Sequence, residues 1–231
     1  MSGEEMIKAI VFDLWRTLIP ATVDFVHLAS LLRQQNISVT EFTQRYESAV
    51  QLKKYKSFGE MRKDFFEAFK QSDNELLEQE LYEIYTNRID KITFFPDVLP
   101  TLEKLKKEGY KIALLSNTES LIASRLEKNI SLSSHFDVFG VSYEINALKP
   151  EKKAFDFVLK KLKVKPSEAL MVGDSLRSDI VGAQGVGMHN CLINRTDKVF
   201  DIAKAKPEFE IKSLKELSRV LGVLNAKAKN P

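Results

Sequence analysis

The sequence predicts an α/β protein: a parallel sheet flanked by helices, with a block of helices inserted after the first strand. Three observations carry this. Short apolar runs rich in β-branched residues recur along the chain. Helical patterns lie between them, and one long stretch holds helical patterns only.

The first run, Ile7 to Phe12, is apolar apart from Lys8 and reads as a buried strand. From about Thr22 to Ile92 no strand pattern occurs, and Glu, Lys, Gln, Leu and Phe dominate. Phe58, Met61, Phe65, Phe66 and Phe69 recur at helical spacing, as do Leu77, Leu81, Ile84 and Tyr85. The segment therefore reads as a helical bundle that buries these stripes, with hinges at Pro20 and Phe95-Pro96. Val98 to Glu108 is the next helix, with Val98, Leu99, Leu102 and Leu105 on one face and Gly109 as its stop. Ile112 to Leu115 is a second strand ending at Ser116-Asn117, and Val138 to Val141 is a weaker one. Lys152 to Leu162 carries Phe155, Val158, Leu159 and Leu162 at helical spacing. Ala169 to Val172 is a third strand ending at Gly173-Asp174, and Cys191 to Ile193 is a further weak one. The small, polar, basic tail from Asn225 to Pro231 is expected to fray. The expected division is a core of residues 1–20 and 94–231 and a helical cap of residues 21–93.

Composition excludes several classes. Of 231 residues, 44% are hydrophobic and 29% charged, which builds a sizeable core and is incompatible with wholesale disorder. Lys+Arg 35 against Asp+Glu 32 leaves only +3, so nothing calls for a nucleic-acid partner. The single cysteine, Cys191, forms no internal disulfide and no multi-cysteine zinc site; it is expected to be buried and inert, in a reducing, cytoplasmic compartment. The opening MSGEEMIKAI lacks the basic start and apolar stretch of a signal peptide. No apolar run approaches the roughly 18–20 residues that span a bilayer, so no membrane partner is expected. His27, His135 and His189 are scattered and read as structural or surface residues.

In open α/β sheets the site lies beyond the carboxyl ends of the strands. The first strand delivers Asp13, with Thr17 four residues on; the second delivers Ser116 and Asn117; the third delivers Asp174, with Asp179 five further on. Lys149-Pro150 opens the helix before the third strand. Any one of these aspartates reads equally as a cap or turn residue, and the hydroxyls as turn hydroxyls. Together they describe a site. Convergent carboxylates repel unless a divalent cation bridges them, and oxygen ligands suit Mg²⁺. Lys149, Thr17, Ser116 and backbone N–H groups supply charge and donors for a phosphoryl group, and an aspartate can attack phosphorus.

The ordered set F-D-L-W-R-T-L, L-L-S-N-T, L-K-P and G-D-S-L-R-S-D resembles the haloacid dehalogenase (HAD) superfamily, in the branch with a helical cap after the first strand. Phe94 to Leu105 is similar to that family's return from cap to core. The resemblance implies a Rossmann-like parallel sheet with an inserted all-α cap. It implies Asp13 as nucleophile, Ser116 and the backbone at Asn117 as phosphoryl or carboxylate binders, and Lys149 as the bridge between nucleophile and substrate. Asp174 would ligate Mg²⁺ with Asp13 and the backbone carbonyl of Trp15. Asp179 would ligate through water or orient the loop and Lys149, and Thr17 would bond near the nucleophile.

Two positions depart from that pattern. The family's phosphatases read D-x-D-G-T where this chain reads Asp13-Leu14-Trp15-Arg16-Thr17. Trp15 replaces the carboxylate that protonates the leaving group, and an indole N–H does not titrate usefully. Trp15 is expected to pack as a wedge under the cap. Arg16 replaces a glycine; it is expected to take an ordinary helical turn or reach the mouth of the site, with a surface ion pair as the plainer outcome. Dehalogenase members carry an aromatic residue at the Trp15 position, because halide leaves without a proton. They also replace the aspartate corresponding to Asp174 with serine, carry a tyrosine where this chain has Phe155, and use an early cap arginine, for which Arg33 or Arg45 would serve. The expected activity is a Mg²⁺-dependent phosphatase on a small phosphorylated metabolite. The alternatives are a metal-independent 2-haloacid dehalogenase and a catalytically weak binding member. Oligomeric state stays open.

Overall fold

The computed structural model describes residues 5–21, 23–32, 37–197 and 205–229. Six parallel strands form one sheet in the order β3-β2-β1-β4-β5-β6. They are β1 (Ala9–Phe12), β2 (Lys111–Ser116), β3 (Val138–Val141), β4 (Ala169–Gly173), β5 (His189–Ile193) and β6 (Phe209–Ile211). The expected strands all form; β6 was not anticipated. Its three residues, Phe-Glu-Ile, are too few to show a period, and it is held as an edge by pairing with β5.

Alternation along each strand sorts side chains to the two faces. Ile10 and Phe12 of β1, with Ile112, Leu114, Leu170 and Val172, join a core completed by α5 (Val98–Lys107), α6 (Ser120–Ile130) and α10 (Leu217–Lys229). Ala9 and Val11, with Ala113, Leu115, Ala169 and Met171, pack on α8 (Lys152–Leu162) and α9 (Val181–Val186). Helices on both faces explain why these strands read as continuous apolar runs. A short α7 (Ser142–Ile145) follows β3.

Between β1 and α5 lie α1 (Phe25–Ser30), α2 (Val39–Val50), α3 (Phe58–Ala68) and α4 (Glu75–Glu83), then a π-helical turn and a 3-10 turn ending at Lys91. No strand occurs there among the described residues. Ser38, Ser57 and Asn74 each accept a backbone N–H at a helix start, the capping expected of these residues. Phe42 stacks on Phe69 at 4.6 Å and Phe65 meets it tilted at the same distance, and Leu77, Leu81, Ile84 and Tyr85 are buried, so both stripes face inward, with Phe58 only partly covered. The chain leaves and re-enters the sheet side by side: Phe95 N–H donates to the Leu18 carbonyl at 2.9 Å. Thr22 and Arg33 lie outside the described residues.

The tail departs from expectation. The helix α10 runs to Lys229, and Asn225 is not frayed: its side chain accepts from Ile7 N–H at 2.9 Å and donates to the Tyr110 hydroxyl at 3.1 Å. The apolar positions Leu217, Val220, Leu221 and Leu224 anchor the helix just upstream of that bond. No helix among the described residues is long and apolar enough to cross a membrane.

Gly182 of α9 faces the Phe155 ring of α8. A Cβ built there would meet the Phe155 ring at 2.3 Å. Gly182→Ala should therefore destabilise by about 1–3 kcal/mol through overpacking. Urea unfolding of wild type and variant checks this; equal midpoints would show that the ring yields freely.

Candidate active site

The ends of β1, β2 and β4 lie side by side, and Asp13 after β1 and Asp174 and Asp179 after β4 meet Lys149 in one cluster. Asp13, 6% exposed, presents Oδ1 to the Lys149 ammonium at 2.7 Å and accepts the Thr17 hydroxyl on Oδ2 at 3.1 Å. Lys149, 2% exposed, also donates to Asp179 Oδ1 at 2.6 Å. Asp179 is fully buried, and its Oδ2 accepts Ser175 N–H at 3.0 Å. Asp179 rides on a π-helical turn, Leu176–Ile180, capped by the Ser175 hydroxyl. It lies so close to β4 that a Cβ at Gly173 would sit 2.2 Å from Asp179 Oδ2. Asp174 completes the group: Asp13, Asp174 and Asp179 each offer a carboxylate oxygen within 4.8 Å of the others.

The electrostatics follow from this crowding. Removal from water, then the charges of Asp13 and Asp179, push Asp174 up to about 7. Burial pushes Asp179 up to about 6, against the pull of Lys149. Burial opposes the charge on Lys149, but the two carboxylates outweigh it and hold its pKa above the ordinary lysine value.

The second loop supports this cluster indirectly. Asn117 clamps Lys149 through its backbone: Oδ1 accepts Lys149 N–H at 2.8 Å and Nδ2 donates to the Lys149 carbonyl at 3.1 Å. Ser116 is buried and its hydroxyl shares a 2.6 Å hydrogen bond with Thr118. Trp15 reaches the same threonine, donating Nε1–H to Thr118 Oγ1 at 3.2 Å, so the indole ties the first loop to the second. The ring packs, partly buried, on the core beneath the helical segment, as a wedge would.

Arg16 corrects the sequence reading in part. It takes no helical turn: its φ is +57°, the region that glycine favours. Its guanidinium forms an ion pair, but with Asp174 at 3.7 Å, inside the site rather than away from it.

Asp13, Asn117, Lys149 and Asp174 line one cavity of about 960 Å³. Trp15 and Arg16 also line it, as do Tyr46, Glu47 and Gln51 from the helical segment. Sequence reasoning missed Glu47 and Arg177. The Glu47 carboxylate accepts from Arg177 at 2.5 Å and from Asn117 Nδ2 at 3.2 Å, joining the helical segment to two of the loops. It also missed Arg195, whose guanidinium donates twice to the Thr17 carbonyl (3.1 and 2.9 Å), pairs with Asp97 at 3.0 and 3.1 Å, and stacks over Phe95. No sequence spacing marks these partners, since each pair is 70 or more residues apart.

The three histidines make separate contacts. His27 faces Glu80 at 3.8 Å, His135 meets the edge of Phe94, and His189 pairs with Glu208 at 2.8 Å. Cys191 is buried, and burial pushes its thiol up to about 12.

The family model for haloacid dehalogenase-like hydrolases matches residues 7–187, and the chain belongs to that family. It is 38% identical over 133 residues to a glyceraldehyde 3-phosphate phosphatase of Methanopyrus kandleri, covering 55% of this chain and 56% of that one. The chain spans about half the length of the first curated relatives it matches. Among solved structures, a HAD phosphatase from Thermococcus onnurineus is similar at a TM-score of 0.63 and 31% identity, covering 94% of this chain and 98% of that one. A 2-haloacid dehalogenase from Pseudomonas syringae pv. tomato is similar at a TM-score of 0.65 and 25% identity, covering 94% and 99%.

The pKa shifts set a direction for stability. Asp174 and Asp179 bind protons more tightly in the folded chain than at their ordinary value of 3.8. The folded state therefore holds the extra protons, and their contribution to stability falls as pH rises from about 4 to about 7. Asp174→Asn should flatten that descent, seen as melting temperature against pH without added metal. An unchanged slope would remove Asp174 from the repulsive cluster.

Proposed function

We propose that this chain is a Mg²⁺-dependent phosphatase acting on a small phosphorylated metabolite through an aspartyl-phosphate intermediate. The observation that carries the reading is the charge of the buried cluster. Asp13, Asp174 and Asp179 bring three carboxylates and Lys149 one ammonium, an excess of two negative charges that the partly exposed Arg16 only grazes. A hard divalent cation matches both that charge and the all-oxygen donor set.

Asp13, Asp174 and the backbone carbonyl of Trp15 would hold the cation. Asp179, with both oxygens already bonded, orients Lys149 and the loop. When bound, the cation neutralises charge on the carboxylates and the phosphoryl oxygens. Asp13 attacks phosphorus, held in place by Lys149 and Thr17. Lys149, Ser116 and the backbone at Asn117 receive the phosphoryl oxygens, and water then cleaves the aspartyl phosphate. Residues 21–93 act as a cap over a core of 1–20 and 94–231, with Glu47 bonded across the gap. The similarity to glyceraldehyde 3-phosphate phosphatase supports a small phosphate ester as substrate. The single, buried Cys191 supports a reducing, cytoplasmic location.

One observation favours dehalogenation instead: Trp15 stands where the phosphatases' acid stands. Two observations oppose it. Asp174 is retained. Phe155 is fully buried under Gly182 rather than reaching the site. Of the two candidate cap arginines, Arg45 pairs with Glu41 at 2.7 Å, and Arg33 lies outside the described residues.

Asp13→Asn should reduce turnover of any substrate to background with the fold intact, and EDTA should abolish phosphatase activity. Haloacid turnover that survives EDTA would establish the dehalogenase reading. Without an acid at Trp15 the leaving oxygen departs largely unprotonated, a loss of up to about 10⁴-fold on poor leaving groups. kcat/KM across phosphate monoesters should therefore fall steeply as leaving-group pKa rises, and less steeply in Trp15→Asp. A flat wild-type series would mean that another group supplies the proton.

A further inference from the structure

Resting on the phosphatase reading, we propose that the site accepts an apolar aryl leaving group, so that its substrate is a phosphate monoester of a phenol. Asp13, Lys149 and Asp174 carry the charge at the proposed chemistry, and Arg16 and Arg177 also line the cavity. Another part of the lining is apolar. Val26 on α1, Val39 on α2 and Val181 on α9 all line the cavity, and they are 63%, 43% and 40% exposed. They are three of the eight large hydrophobic residues exposed among the described residues. Single exposed apolar side chains are ordinary, but three from separate elements around one opening form a surface that a ligand covers.

Several polar groups beside them are already bonded. Asp24 caps α1 through Val26 and His27 N–H, Thr43 donates to the Val39 carbonyl, and Glu47 is held by Arg177 and Asn117. Gln51 Oε1 has no partner but is itself sealed from solvent. The three valines thus offer a ring an apolar contact beside the charged groups.

Trp15 supplies the second, independent reason. With no acid two residues after Asp13, a leaving group stable as an anion is favoured, and a phenol of pKa about 10, like that of tyrosine, is far better than an alkanol. An Asp13 oxygen forms the bond to phosphorus as the phosphorus–aryl oxygen bond breaks. The electron pair leaves on the phenoxide, which takes its proton from water. Water then attacks phosphorus, releasing phosphate and restoring the Asp13 carboxylate.

The test uses phenyl, 4-methylphenyl, 4-ethylphenyl and 4-propylphenyl phosphates, whose phenols differ little in acidity. In wild type kcat/KM should rise about three- to fourfold per added carbon, the value of one buried methylene. The surface double variant Val26→Ser/Val39→Ser should flatten the rise. A flat wild-type series, or an equal slope in the variant, overturns the proposal. If no ester is turned over, the phosphatase reading fails, and calorimetric affinity of the same compounds decides: growth with chain length that the variant loses upholds an apolar occupant, and no growth overturns it. A changed mass in light scattering with an unchanged slope would assign the valines to a second copy of the chain and overturn the proposal.

Discussion

The ammonium of Lys149, shared between Asp13 and Asp179, is the interaction on which the site depends. A buried lysine is costly alone, and removing one partner from a buried pair costs about 3–5 kcal/mol because the other charge is left unpaired. The parallel sheet makes the arrangement possible. With β1 between β2 and β4, the residues that follow all three strands emerge together at one edge. Asn117, after β2, then fixes Lys149 by bonding both sides of its backbone, while β1 supplies Asp13 and the turn after β4 supplies Asp179.

Local backbone is shaped to serve this contact. Gly173 has no side chain because Asp179 occupies the space where a Cβ would stand. The π-helical turn brings Asp179 back to β4, where Ser175 N–H bonds its second oxygen. On the other side Arg195 holds the Thr17 carbonyl while paired with Asp97 and stacked on Phe95, so the first loop is tied to the point where the chain returns from the helical segment. The nucleophile candidate is thereby braced by elements far apart in sequence.

Trp15 leaves the charged cluster undisturbed. The indole replaces an acid, yet it bonds Thr118 and keeps the first two loops together. The carboxylate and ammonium groups below it are complete. Under the proposed reading, such a site would keep its covalent and cation-binding parts and give up proton delivery, which would place the burden of leaving-group stability on the substrate.

The sequence by itself determined the sheet, the helical insert and the identity of the central residues. Apolar runs that end in Asp13, Ser116 and Gly173-Asp174 were readable because buried parallel strands are apolar on both faces and their polar termini stand out. The edge strand β6 and the helical tail were not readable: one is three residues long, and the other is anchored by the bonds of Asn225 to Ile7 and Tyr110. Only the tertiary structure decided that Asn117 clamps Lys149, that Arg16 takes a left-handed backbone and faces Asp174, and that Glu47, Arg177 and Arg195 join the loops. Each of these depends on the distance between side chains remote in the chain. Local periodicity records which face a residue presents; it holds no information about which charge comes to lie opposite.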